Sequence, residues 1–160
     1  MWRRRKVLRK PLSRLLTENA SQVLDLAKEE ARSSQHGQVS PEHLLLAIAR
    51  LDSGIATDVL RELGISPHAV RDEVARHTVH SLRKSAEEIT LALRTERTLK
   101  LSRHEAARFG NVHIGTEHLL LGVIREGEGS ASGPLATLGV NLPRARQAVI
   151  RVLVRDARHA

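Results

Sequence analysis

Hydrophobic positions recur along this chain at intervals of three and four, the spacing of one face of an α-helix. Leu16, Ala20, Val23, Leu24, Ala27 and Ala31 form one such face and predict a helix from about Thr17 to Ser34, broken at Gly37. A second helix begins at Ser40-Pro41-Glu42. Serine can cap, proline suits the first helical position, and an acid there complements the helix dipole. Leu44 to Ala49 follows without a polar break, which predicts a helix buried on most sides and ended by Asp52-Ser53-Gly54. A third helix runs to Leu63 and stops at Gly64, a residue that readily turns left-handed. A fourth starts near Ser66-Pro67 and carries Ala69, Val70 and Val74. No segment alternates as a strand would, so no sheet is expected.

The pattern then repeats. Residues 16–79 align with 91–154 at a shift of 75 without a gap, and 20 of the 64 pairs are identical. Glu42-His43-Leu44-Leu45-Leu46 falls on Glu117-His118-Leu119-Leu120-Leu121, and Leu63-Gly64 on Leu138-Gly139. A gapless match of this kind points to duplication. The second unit starts its helices at about Ala92, Thr116, Ser130 and Asn141. The expected fold is therefore all-α, with two tandem pseudo-symmetric four-helix repeats, or eight helices. The expected division is a basic disordered tail over 1–14, repeat 1 over 15–79, a polar linker over 80–90, repeat 2 over 91–154 and a C-terminal tail over 155–160. Leu44, Leu45, Ile48, Leu63, Leu119, Leu120, Val123 and Leu138 are the expected core.

Composition narrows the chemistry. There is no cysteine, which excludes disulfides, thiolate zinc sites and cysteine nucleophiles. Trp2 and Phe109 are the only aromatic residues, so the core must be aliphatic. The net charge of +8 is concentrated in Arg3, Arg4, Arg5, Lys6, Arg9, Lys10 and Arg14, while the remaining 146 residues carry 19 bases against 18 acids. That start lacks the apolar stretch of a signal peptide, and no apolar run approaches the ~20 residues of a membrane span. A cytoplasmic protein without membrane attachment is expected.

These residues resemble a known family. Val39-Ser40-Pro41-Glu42-His43-Leu44-Leu45-Leu46 and Ile114-Gly115-Thr116-Glu117-His118-Leu119-Leu120-Leu121-Gly122 are similar to the I-G-T-E-H-I-L-L-G signature of the Clp amino-terminal domain. Arg125-Glu126-Gly127-Glu128-Gly129 and Ala27-Lys28-Glu29-Glu30-Ala31 resemble further motifs of the ClpC type, and the likeness covers about residues 16–154. The resemblance implies two four-helix repeats that receive protein or peptide substrates and Clp adaptors for an ATPase ring. In ClpC it implies binding of phosphorylated arginine, and in actinobacterial members it implies recognition by cyclic peptide antibiotics. The chain has no G-x-x-x-x-G-K-[ST] motif, hence no expected cradle for ATP. It reads as a stand-alone paralogue or an excised domain, and its start favours the former.

Glu42 and Glu117 stand in the first turn of equivalent helices. One reading is complementation of the helix dipole. The other, implied by the resemblance, is that each carboxylate receives a guanidinium while a threonine at the start of the repeat's first helix meets a phosphate. Thr17 matches that threonine in repeat 1, and Ala92 replaces it in repeat 2. The expected ligand-binding residues are thus Thr17, Glu42 and Glu117, with repeat 1 the better site. His43 and His118 read as core or capping histidines, and Gly127-Glu128-Gly129 as a turn between helices. No catalytic residue, cofactor or metal site is expected. The function expected is a non-enzymatic binding module of the Clp system, for degradation-marked polypeptides or adaptors, or a decoy for peptides that target the ring. The alternative is nucleic-acid binding through the basic tail.

Overall fold

The structure, a computed structural model, describes residues 8–77, 89–128 and 133–160. Helix α1 is Glu18–Ser33, strand β1 Gln38–Val39, α2 Pro41–Leu51, α3 Ile55–Glu62 and α4 Pro67–His77. The second half holds strand β2 Thr90–Leu91, α5 Leu93–Arg108, α6 Thr116–Glu128, α7 Pro134–Thr137 and α8 Leu142–His159. The two all-α repeats are therefore present, each with four helices among the described residues.

The helix starts follow from their caps. The Thr17 hydroxyl accepts from Ala20 N–H at 3.2 Å, and the Asn141 amide oxygen accepts from Arg144 N–H at 2.9 Å. At α2 the Ser40 hydroxyl accepts from His43 N–H, and the His43 ring accepts in return from Ser40 N–H at 2.9 Å. The histidine thus takes the place that glutamate holds in a capping box. His118 makes the same return bond with Gly115 N–H at 2.9 Å. Both are capping histidines, as read from their positions.

The second helices are central because they are apolar all round. Every residue of α6 from Thr116 to Ile124 is buried, as is most of α2. Helices α5 and α6 approach closely, since a Cβ on Gly122 would overlap the Ser102 hydroxyl. The repeats share one core. The third helix of each packs on the fourth of the other, α3 against α8 and α4 against α7.

Four expectations are corrected. First, strands exist: β1 and β2 pair in parallel, Gln38 with Thr90 and Val39 with Leu91, and Leu16 forms an isolated bridge with Ile114. The segments leading into helices of opposite repeats run side by side and satisfy each other's backbone groups, which two-residue strands do without any alternation. Second, Leu63 and Leu138 are only partly buried, and Ile65 and Val140 are the buried residues. Gly64 and Gly139 are left-handed, and Ile65 N–H donates to Leu60 O at 2.9 Å while Gly64 N–H donates to Arg61 O at 3.0 Å. This Schellman motif turns the residue after the glycine inward. Third, α8 continues through His159, so residues 155–159 are helix and not tail, while α6 runs on to include Gly127 and Glu128. Fourth, the packed chain begins inside the expected tail: Leu12–Arg14 form a 3-10 turn and Leu12 lies on the core. Residues 1–7 and most of the expected linker lie outside the described residues.

Candidate functional site

The strand pairing decides which site residues meet. Consecutive helices of a short-looped hairpin are antiparallel, so their starts lie at opposite ends. Asn19, near the start of α1, lies at Gly54, beyond the end of α2, as a Cβ on Gly54 would come within 3.2 Å of its amide. Glu42 is at the other end of α2, an 11-residue helix roughly 16 Å long. Thr17 and Glu42 are thus not brought together. Thr17 N–H donates instead to Ile114 O at 3.0 Å, at the entrance to α6, and Ala92 N–H donates to Val39 O at 3.0 Å, at the entrance to α2. Each first helix of a repeat starts beside the second helix of the other repeat. The neighbours are Thr17 with the Glu117 turn and Ala92 with the Glu42 turn.

The two glutamates differ in state. Glu117 is buried, its carboxylate folded back over Gly115, and loss of hydration raises its pKa above the ordinary carboxylate value. Glu42 is half-buried and carries an internal guanidinium: Arg94 Nη1 donates to its Oε1 at 3.2 Å. The same arginine donates from Nε and Nη2 to the two oxygens of Glu126, at 2.8 and 2.9 Å. This fork is the geometry that a guanidinium and a carboxylate favour. Those bonds to Glu126, reinforced by the charge of Glu42, hold the Arg94 pKa above its ordinary value.

Glu42, Arg94 and Glu126 together line a cavity of ≈190 Å³. Leu45, Val123, Ile124, Leu135 and Val140 supply apolar wall. Glu128 adds a further acid, with one oxygen accepting from Leu142 N–H at 2.9 Å. Repeat 1 has a counterpart of ≈340 Å³ walled by Ile48, Ala49, Leu60 and Ile65. These are the residues 75 positions before Val123, Ile124, Leu135 and Val140, so duplication made two related hollows. They diverge at the junction between repeats. Thr116 and Asn19 close in on Gly54, and the Thr116 hydroxyl accepts from Ala56 N–H at 3.0 Å. In the other half Pro41 and Arg94 stand at the positions equivalent to Thr116 and Asn19, and the cavity reaches the acid pair.

Arg94 and Glu126 were not among the expected site residues. The signal was a paired departure from the repeat: Asn19 becomes Arg94 and Leu51 becomes Glu126, opposite charges arising together.

The family model of the Clp repeat (R) N-terminal domain matches residues 15–138 and 90–158. The chain belongs to this family. It is 40% identical over 137 residues to the negative regulator of genetic competence ClpC/MecB of Bacillus subtilis, covering 86% of this chain and 17% of that protein. It is 39% identical to the chaperone protein ClpB of Oceanobacillus iheyensis over the same shares. This Clp repeat chain thus spans about one sixth of the length of those relatives. Among solved structures, the N-terminal domain of ClpD from Arabidopsis thaliana superposes with a TM-score of 0.67 at 22% identity, over 91% of this chain and 97% of that one. A ClpV N-domain in complex with a VipB peptide superposes with a TM-score of 0.74 at 16% identity, over 91% and 93%. At these identities the structures establish the Clp N-domain fold alone. Among the described residues no helix is long and apolar enough to cross a membrane.

Proposed function

We propose that this Clp repeat chain is a non-enzymatic polypeptide-binding module of the Clp chaperone-protease system, and that the cavity of repeat 2 is where a segment of substrate or adaptor docks. The observation that carries this reading is the cavity itself. Its wall is mostly apolar, Glu42, Glu126 and Glu128 line it, and it draws residues from both repeats. An apolar hollow with a few convergent polar groups is the ordinary form of a ligand site. The family supports the reading, as does the ClpV N-domain, which holds a VipB peptide.

The ligand is an exposed stretch of a degradation-marked chain or of an adaptor, with an apolar side chain entering between Leu45, Ile124 and Leu135. Arginine phosphorylation is the mark that Thr17 and Glu117 would read, across the repeats. Ala136 tests the main claim, since it is exposed at the cavity and its replacement spares the core. Fluorescently labelled, permanently unfolded carboxymethylated α-lactalbumin should bind the native chain, and Ala136→Trp, which fills the mouth, should abolish binding. Undiminished binding by the variant would place the site elsewhere.

A further inference from the structure

The acid pair at the cavity mouth is already filled by an arginine of the same chain. Glu42 comes from α2 of repeat 1, Glu126 from α6 of repeat 2, and Arg94 from the first turn of α5. The fold does not require this cluster. The other half builds the same repeat with Asn19 and Leu51 at the equivalent positions. Arg94 can leave without opening the core: its side chain is 48% exposed, while the carboxylates it would vacate, Glu42 at 20% and Glu126 at 10%, stay in the wall. Two carboxylates converge on this one guanidinium, so the mouth stays acidic even when it is occupied. Burial cannot explain the placement, because a half-exposed arginine contributes little to a core.

From this geometry we infer that Arg94 is a tethered competitor: it occupies a guanidinium site at the cavity mouth, and a ligand bearing arginine beside an apolar residue enters by displacing it. The inference rests on reading the cavity as a polypeptide site. It adds both a preference, for cationic over neutral segments, and a limit on affinity set within the chain. A ligand without a cation uses the apolar wall and leaves Arg94 in place. A ligand with one must first free the acid pair, so its apparent affinity is reduced by the fraction of time that the pair is open.

The test uses two peptides, acetyl-Gly-Leu-Arg-Leu-Gly-amide and the same peptide with citrulline for arginine. Citrulline keeps the shape and loses the charge. Calorimetry compares the native chain with Arg94→Gln. If Arg94 holds the pair nine-tenths of the time, its removal should tighten the arginine peptide about tenfold. The citrulline peptide should bind both proteins equally. Arg94→Lys, which keeps the charge but cannot fork across both acids, should lie between and guards against a folding defect in the glutamine variant. In the native chain, the Arg94 Nε–H signal should shift as the arginine peptide is added and stay put with the citrulline peptide. Equal affinity of the arginine peptide for native chain and Arg94→Gln, or weaker binding to the variant, would reduce Arg94 to a structural link and leave the polypeptide site standing. Failure of both peptides to bind any of the three proteins would overturn the polypeptide site and the competitor together.

Discussion

The Thr17 backbone N–H donates to the Ile114 carbonyl at 3.0 Å, across the two repeats. That bond, and its counterpart from Ala92 to Val39, exchange the neighbours of each first helix. A threonine hydroxyl and a carboxylate that are to share one phosphorylated guanidinium must therefore come from opposite repeats. On the reading proposed above, that combination is Thr17 with Glu117.

This reverses an expectation drawn from the linear repeat. Phosphoarginine added to the labelled chain should perturb amide signals at Thr17, Gly115 and Glu117. Thr17→Ala and Glu117→Ala should each weaken that response by about tenfold to over a hundredfold, the cost of a hydrogen bond to a charged group. Glu42→Ala should leave it unchanged. Loss of the response on removing Glu42 alone would restore the same-repeat pairing.

Acid should loosen the fold through two rings. His43 and His118 are buried, and burial holds each pKa down at about 4, against an ordinary histidine value of 6.5. As pH falls, the unfolded chain takes up protons first. Stability is then complete above about pH 6.5 and declines until about pH 4, below which both states are protonated. The loss is on the order of 3 kcal/mol per ring at most. Urea melts between pH 7.5 and 4 measure it, and His118→Gln should flatten the decline. A midpoint independent of pH over this range would contradict the burial of both rings.

A buried ion cluster distinguishes the halves. Glu105 is fully buried and accepts from Arg146 at 2.7 and 3.1 Å and from Arg125 at 3.0 Å. Its counterpart Glu30 faces Arg50 at 3.6 Å, and that arginine is 42% exposed. Glu105→Ala strands two arginines and should cost roughly 3–5 kcal/mol. Glu30→Ala should cost under about 1 kcal/mol. Denaturant midpoints check both, and equal losses would mean that exposure does not govern the pair.

Much of this was legible in the sequence because it is local. Apolar spacing gave the helices, and the unbroken run Leu44 to Ala49 marked a central helix. Ser40 and Asn141 marked caps. The burial of Ile65 in place of Leu63 was missed because it depends on a left-handed glycine redirecting the chain, which periodicity does not register. The crossing of Leu16 to Ile114 was missed for a deeper reason. A gapless repeat says which residues are equivalent, not which are neighbours, and here equivalence and adjacency differ. Glu42 and Glu117 were found by position, but their states depend on Arg94 and Gly115, which only packing brings to them.

The basic start of the chain carries a separate expectation. If the basic start binds nucleic acid, affinity should fall steeply with salt and weaken markedly when residues 1–7 are removed, since that cut takes Arg3, Arg4, Arg5 and Lys6 out of its seven bases. Cutting there spares Leu12 and Leu15, which lie on or in the core. Filter binding of a labelled 20-mer duplex at 50 and 200 mM salt measures this. Binding undiminished by the deletion would move the interface into the repeats.

Entry of a polypeptide segment into the cavity of repeat 2, at the junction between repeats, can be followed residue by residue. An amide map of the isotope-labelled chain, titrated with acetyl-Gly-Leu-Arg-Leu-Gly-amide, tests it most directly. Saturable shifts are expected at Glu42, Arg94, Val123, Ile124, Leu135 and Val140, and none of them in Ala136→Trp. Shifts confined to α8 or to the start of the chain, or none at all, would contradict it.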